Sequence, residues 1–256
     1  MGKRRRFVIT SLLLSLGFMG IQFLNDQNRF WAIGVLGLVT LAAFYWSLMG
    51  SMISKMSLLT LILPSIFTLG VGVFWFLLPA NIFARIPVVI FYGLGIYVLC
   101  LTANIYSVAA VRTIALLRAA RGVGFVLSLL TSFLVFDAIL SIKTEMYVLL
   151  PFVLLISFLL YLQGYWSMSL KSEGSKDLFI LAGISALLTM EVAACLYFWP
   201  VTVVVGSLFL TVTFYMLLGL GQAKIDGRLF ASTVREHVVV GALVFIAMFL
   251  STRWGG

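Results

Sequence analysis

Val123-Gly-Phe-Val-Leu-Ser-Leu-Leu-Thr-Ser-Phe-Leu-Val-Phe-Asp-Ala-Ile-Leu-Ser-Ile142 is an apolar run framed by Arg118 and Arg121 before it and Lys143 after it. Its length matches the roughly 20 residues a helix needs to cross about 30 Å of hydrocarbon. The pattern repeats along the chain, with apolar runs of similar length divided by short basic segments. Of the 256 residues, 63% are hydrophobic and 10% charged. A soluble domain of this size carries far more charge and could not hide so much apolar surface in one core. The runs lack the alternation and frequent turns of an outer-membrane barrel. Helices, which satisfy their own backbone in lipid, remain. The fold expected is therefore all-α, a polytopic integral membrane bundle forming one transmembrane domain over residues 1–256.

Nine spans are read, at Phe7–Leu24, Phe30–Leu48, Leu58–Leu78, Val88–Tyr106, Val123–Ile142, Tyr147–Tyr165, Leu178–Tyr197, Val201–Leu220 and Val238–Ser251. The last is short. At about 1.5 Å per residue it crosses two-thirds of the hydrocarbon unless flanking residues join it. The first follows Lys3-Arg-Arg-Arg6. It is long for the apolar core of a signal peptide and no small-residue cleavage pattern follows, so it reads as a retained span.

The net charge of +9 is distributed in clusters between the runs. This excludes one extended basic face for nucleic acid and instead encodes orientation. With the N-terminus cytoplasmic, thirteen of the 17 basic residues fall on inner segments, leaving Arg29, Arg85, Lys143 and Arg253 outside. The tryptophans Trp31, Trp46, Trp75, Trp166, Trp199 and Trp254 all lie near span ends. This is the distribution of an aromatic belt. Pro79, Pro87, Pro151 and Pro200 read as boundary markers, and Pro64, with Gly70 and Gly72 after it, as a break or kink within the third span. Cys100 and Cys195 lie in apolar runs and fit neither a disulfide framework nor a metal pair.

Four outgoing helices carry Ser11-Leu-Leu-Leu, Ser57-Leu-Leu-Thr, Ser128-Leu-Leu-Thr and Ala186-Leu-Leu-Thr; three returning ones end in Phe44-Tyr-Trp-Ser, Asn104-Ile-Tyr-Ser and Gly164-Tyr-Trp-Ser. A duplicated hairpin and chance recurrence both account for them. The glycine pairs Gly17/Gly20, Gly34/Gly37 and Gly93/Gly95 allow close helix approach. Asn104, Gln22 and Gln163 lie near span ends, where water or a neighbouring helix satisfies them.

Two inner segments are long enough to carry function. Ser107–Gly122 holds Arg112, Arg118 and Arg121. These form a cytoplasmic basic lip for an anionic ligand or partner, or an interfacial helix resting on lipid phosphate. Gly221–His237 holds the only histidine beside Glu236. That is too few ligands for a metal and reads as a solvated loop. Neither a Gly-x-Ser-x-Gly, a His-Glu-x-x-His nor a phosphate-cradling loop is present, and no cofactor is implied.

Acidic residues within spans are the best functional pointers. Asp137 and Glu191 both fall roughly 8–9 Å below the outer boundary. Glu191 shares a helical face with Cys195, and Asp137 with Ser141. One reading makes the two carboxyls a pair facing a cavity that exchanges a proton or binds a cation. The other makes each a hydrogen-bonded bridge between helices.

The Asn104–Ser141 region, centred on Val111-Arg-Thr-Ile-Ala-Leu-Leu-Arg-Ala-Ala-Arg121, resembles uncharacterised multi-span membrane proteins from bacteria with small genomes. The resemblance covers a minor part of the chain. It implies a bacterial cytoplasmic (inner) membrane and carries no activity. Three functions stay open: a non-catalytic scaffold, assembly or interaction component with membrane-protein partners, a small-solute or proton-coupled transporter using Asp137 and Glu191, and a membrane enzyme acting on lipid.

Overall fold

The computed structural model describes residues 2–21, 23–49, 55–77, 82–110, 115–170 and 176–252. Among them are nine α-helices and no strand. The helices are α1 (Lys3–Ile21), α2 (Asp26–Ser47), α3 (Ile62–Leu77), α4 (Ile82–Ala109), α5 (Leu117–Ser141), α6 (Met146–Ser169), α7 (Lys176–Tyr197), α8 (Val203–Ile225) and α9 (Ala231–Ser251). A 3-10 segment, Lys55–Leu61, leads into α3.

Among the described residues eight helices are long and apolar enough to cross a membrane: α2 to α9, the stretch that includes α3 beginning at Leu58 in the 3-10 segment. Two ends differ from the sequence reading. The ninth helix is 21 residues and starts at Ala231, seven residues earlier than its apolar run, so it reaches the required length. The helix outside the eight is α1, which ends at Ile21 and whose first turn is Lys3, Arg4, Arg5 and Arg6.

The prolines also sit differently. Pro64 is the third residue of α3, where a missing backbone N–H has no intrahelical partner to lose, so it starts the α-helix rather than breaking it. Pro87 and Pro151 lie inside α4 and α6, in their second turns. Each removes one ladder bond close to the helix end, where least structure depends on it. Pro200 does separate α7 from α8, and Pro79 lies outside the described residues.

The chain divides into two compact units, Met1–Val135 and Phe136–Gly256. In the first, α1 packs on α2 and α4, and α3 on α2 and α4. Small residues set these approaches. Ser11 Oγ donates to the Gly93 carbonyl at 2.6 Å, and a Cβ at Gly95 would come within 2.7 Å of the Phe67 ring. A hydroxyl chain crosses three helices: Thr40 Oγ1 lies 3.1 Å from Thr68 Oγ1, which lies 3.1 Å from Tyr92 Oη. Phe18 meets Trp75 edge-on beneath it. Arg6 sits over the Trp46 ring near one end of the unit, and Arg85 over Trp75 near the other.

In the second unit α6 packs on α7 and α8, α7 on α8, and α8 on α9. Two rungs join the antiparallel pair α6 and α7. Tyr161 Oη lies 2.9 Å from Thr189 Oγ1, and Tyr165 Oη lies 2.8 Å from Ser185 Oγ. Tyr165 also donates to the Leu217 carbonyl of α8 at 3.0 Å. Gly221 of α8 passes so close to the Tyr165 ring that any Cβ there would collide with it. The turn from α8 to α9 closes with Gly227 at φ 70, where the Arg228 N–H reaches back to the Ala223 carbonyl at 2.8 Å. This is the left-handed helix stop that glycine alone adopts without penalty.

The aromatic-belt expectation holds only in part. Trp31 and Trp46 are exposed, but Trp75 and Trp166 are buried among helices. A tryptophan near a span end can face inward as readily as toward headgroups.

Candidate functional site

Asp137 sits on α5 four residues before its end, is 4% exposed, and faces Ser207 of α8. Ser207 Oγ lies 3.2 Å from Asp137 Oδ1 and 2.9 Å from the Val204 carbonyl. The serine has one hydrogen for these two acceptors. It either divides that hydrogen between them or leaves one contact to a proton carried by the carboxyl.

Glu191 lies on α7, six residues or roughly 9 Å before its end. It is exposed on its helix face, and it makes no hydrogen bond or ion pair with any described residue. It lines a cavity of about 760 Å³ formed by α7, α8 and α9. Cys195 lines the same cavity one turn on, in agreement with the shared face expected from the four-residue spacing. The remaining wall is apolar, with Leu188, Phe209, Met216, Leu220, Val238 and Phe245 prominent and Thr213 the one hydroxyl. Thr213 is turned back onto the Phe209 carbonyl at 3.0 Å. Asp137 is not among the residues lining this cavity.

The basic lip is only partly visible. Arg118 and Arg121 stand one turn apart at the start of α5, Arg118 exposed and Arg121 half-buried. Arg112 lies outside the described residues. His237 is not in a loop. It lies within α9, its ring stacked on Tyr215 at 5.0 Å and 16°, with Nδ1 2.8 Å from the Thr233 carbonyl. The helix reaches it because α9 begins at Ala231, six residues upstream. Gln163, near a span end, is buried and its Oε1 has no hydrogen-bond partner. Among the described residues no three of His, Cys, Asp and Glu are grouped to hold a metal.

The tyrosine rungs of α6 and α7 are missing from the sequence reading. Their signal was nonetheless present. Tyr161 and Tyr165 are four residues apart, as are Ser185 and Thr189, so each pair marks one helical face.

A helical chain with eight membrane-length apolar helices and hydroxyl bridges between them is an integral membrane protein. It belongs to the family described as Protein of unknown function (DUF5656), which it matches over residues 9–251. No curated protein and no solved structure matches the chain.

Proposed function

We propose that this protein is a non-catalytic component of the bacterial cytoplasmic membrane, a scaffold or assembly factor that presents helix faces to other membrane proteins. One observation carries the reading: a set of buried hydroxyls and the buried carboxyl of Asp137 bond from one helix to the next. Thr40, Thr68 and Tyr92 bond to one another, Tyr161 to Thr189, Tyr165 to Ser185, and Asp137 to Ser207. Polar groups placed this way act as interhelical fasteners. The transport reading asks Asp137 and Glu191 to share a water-filled cavity, and only Glu191 is on one.

The face offered to partners is on α9. Of its 21 residues only Met248 is buried. Val239, Leu243, Ile246 and Leu250, all exposed, form a stripe at four- and three-residue spacing, away from the cavity wall. A photoreactive side chain placed at each of these positions in native membranes tests the reading. A discrete protein adduct at the stripe supports it. Adducts to lipid alone, combined with labelling of cysteines at positions 137 and 191 by an impermeant thiol reagent, would replace it with transport.

A further inference from the structure

Glu191 is the odd member of its surroundings. An unpaired charge in hydrocarbon is costly, and burial among protein groups would be compensated by a bond such as Asp137 has. Glu191 has neither a buried position nor a described partner, yet it stands in the wall of the 760 Å³ cavity. Its carboxyl is placed to pair with a group that enters the cavity.

The dimensions restrict the occupant. The volume falls within the ~300–1,000 Å³ typical of small-molecule sites. Along α8 the wall runs from Phe209 to Leu220, about 16 Å at helical rise and close to half the ~30 Å hydrocarbon thickness. The space suits a slender chain. Tyr161 touches Thr189 and Phe214, which places Glu191 near Val212, about a quarter of the way along the wall from Phe209. A chain can extend from the carboxyl toward Met216, Leu220 and Val238 over about 12 Å.

We propose that the groove between α7, α8 and α9 binds a membrane amphiphile whose apolar chain lies along α8 and whose cationic amine pairs with Glu191. Charge selects the head, because the wall otherwise offers only the weakly polar Cys195 thiol, the Trp199 N–H, which is bonded to Thr252, and the Thr213 hydroxyl, which is bonded to the Phe209 carbonyl. The proposal is independent of the stripe on α9, which faces elsewhere.

The test uses the full chain in phosphatidylcholine vesicles with a diazirine-bearing dodecylamine and the matching dodecanol. The amine is expected to label peptides of α7, α8 and α9 saturably, with unlabelled dodecylamine competing. The alcohol should label in proportion to its membrane concentration without saturation. Glu191→Gln should weaken competition by the amine about 10-fold or more, and Glu191→Asp should restore it. Glu191 is exposed, so both variants should keep the unfolding temperature of the parent, and that is measured alongside. Equal labelling by amine and alcohol, or saturable labelling unchanged in Glu191→Gln, overturns the proposal. So does a crosslink in native membranes joining Glu191 to a lysine of another protein, which would assign the groove to a basic transmembrane helix.

Discussion

Within residues 136–256, α6 and α9 are apolar helices of similar length with opposite surroundings. Eleven of the 24 residues of α6 are buried, including the run Leu160–Ser167. Of the 21 residues of α9 one is buried. The two carboxyls follow the same divide: Asp137 lies in a crossing and is bonded, while Glu191 lies beside α9 and is not. The contrast shows that polar chemistry at one depth takes on different work according to which helix face it occupies. Facing inward, hydroxyls and carboxyls fasten; facing a groove, a carboxyl is left to recognise.

The largest effect expected is at the tight crossing. Tyr165→Ala removes a fully buried ring and two interhelical bonds, and should lower stability by about 3–5 kcal/mol in denaturant titration of the reconstituted protein. An unchanged midpoint would mean that the α6–α7–α8 crossing is no firmer than the α9 side. Asp137→Ala should cost about 1–3 kcal/mol by the same measurement, whereas Asp137→Leu, which fills the space without a polar group, should recover most of it. Equal loss in both would show that the carboxyl does more than bridge to Ser207.

Why these roles were not legible in the sequence follows from how the information is stored. The spans could be read because hydropathy is collective: twenty residues vote on one question. Faces are harder to read, because the helices are apolar nearly all round and only sparse pairs such as Tyr161/Tyr165 and Ser185/Thr189 mark an inward side. Trp166 and Trp31 look alike in the sequence, but one is enclosed and the other exposed. Asp137 and Glu191 were found by type and depth, and their differing partners depend on Ser207 and on the placement of α9, seventy and some forty residues away. His237 was misplaced for a local reason, since the Lys224–Glu236 charges mimic a loop while a helix stop at Gly227 confines the turn to a few residues.

Smaller effects sharpen the same contrast. Tyr161→Phe keeps the ring and deletes one rung, so a loss of about 0.6 kcal/mol is expected, the average for a hydrogen bond between membrane helices. A loss several times larger would show the two rungs acting cooperatively. The smallest change should be Glu191→Leu, within about 0.5 kcal/mol of the parent, as for other exposed sites. A large loss there would reveal an unseen partner within the chain. Hydrogen exchange should order the helices the same way, with amides of α9 exchanging before those of α6.

The 3-10 stretch ahead of α3 has a consequence for azimuth. Such winding turns about 120° per residue, against about 100° in an α-helix. Across residues 58–61 the difference accumulates to roughly 80°. The stretch Leu58–Phe76 is thus a screw of two pitches, and Thr60 and Leu61, both buried, occupy bearings that uniform α winding would assign to other positions. Adding one residue before Ile62 would swing Leu58 around by a third of a circle while leaving the Thr40–Thr68–Tyr92 layer in place.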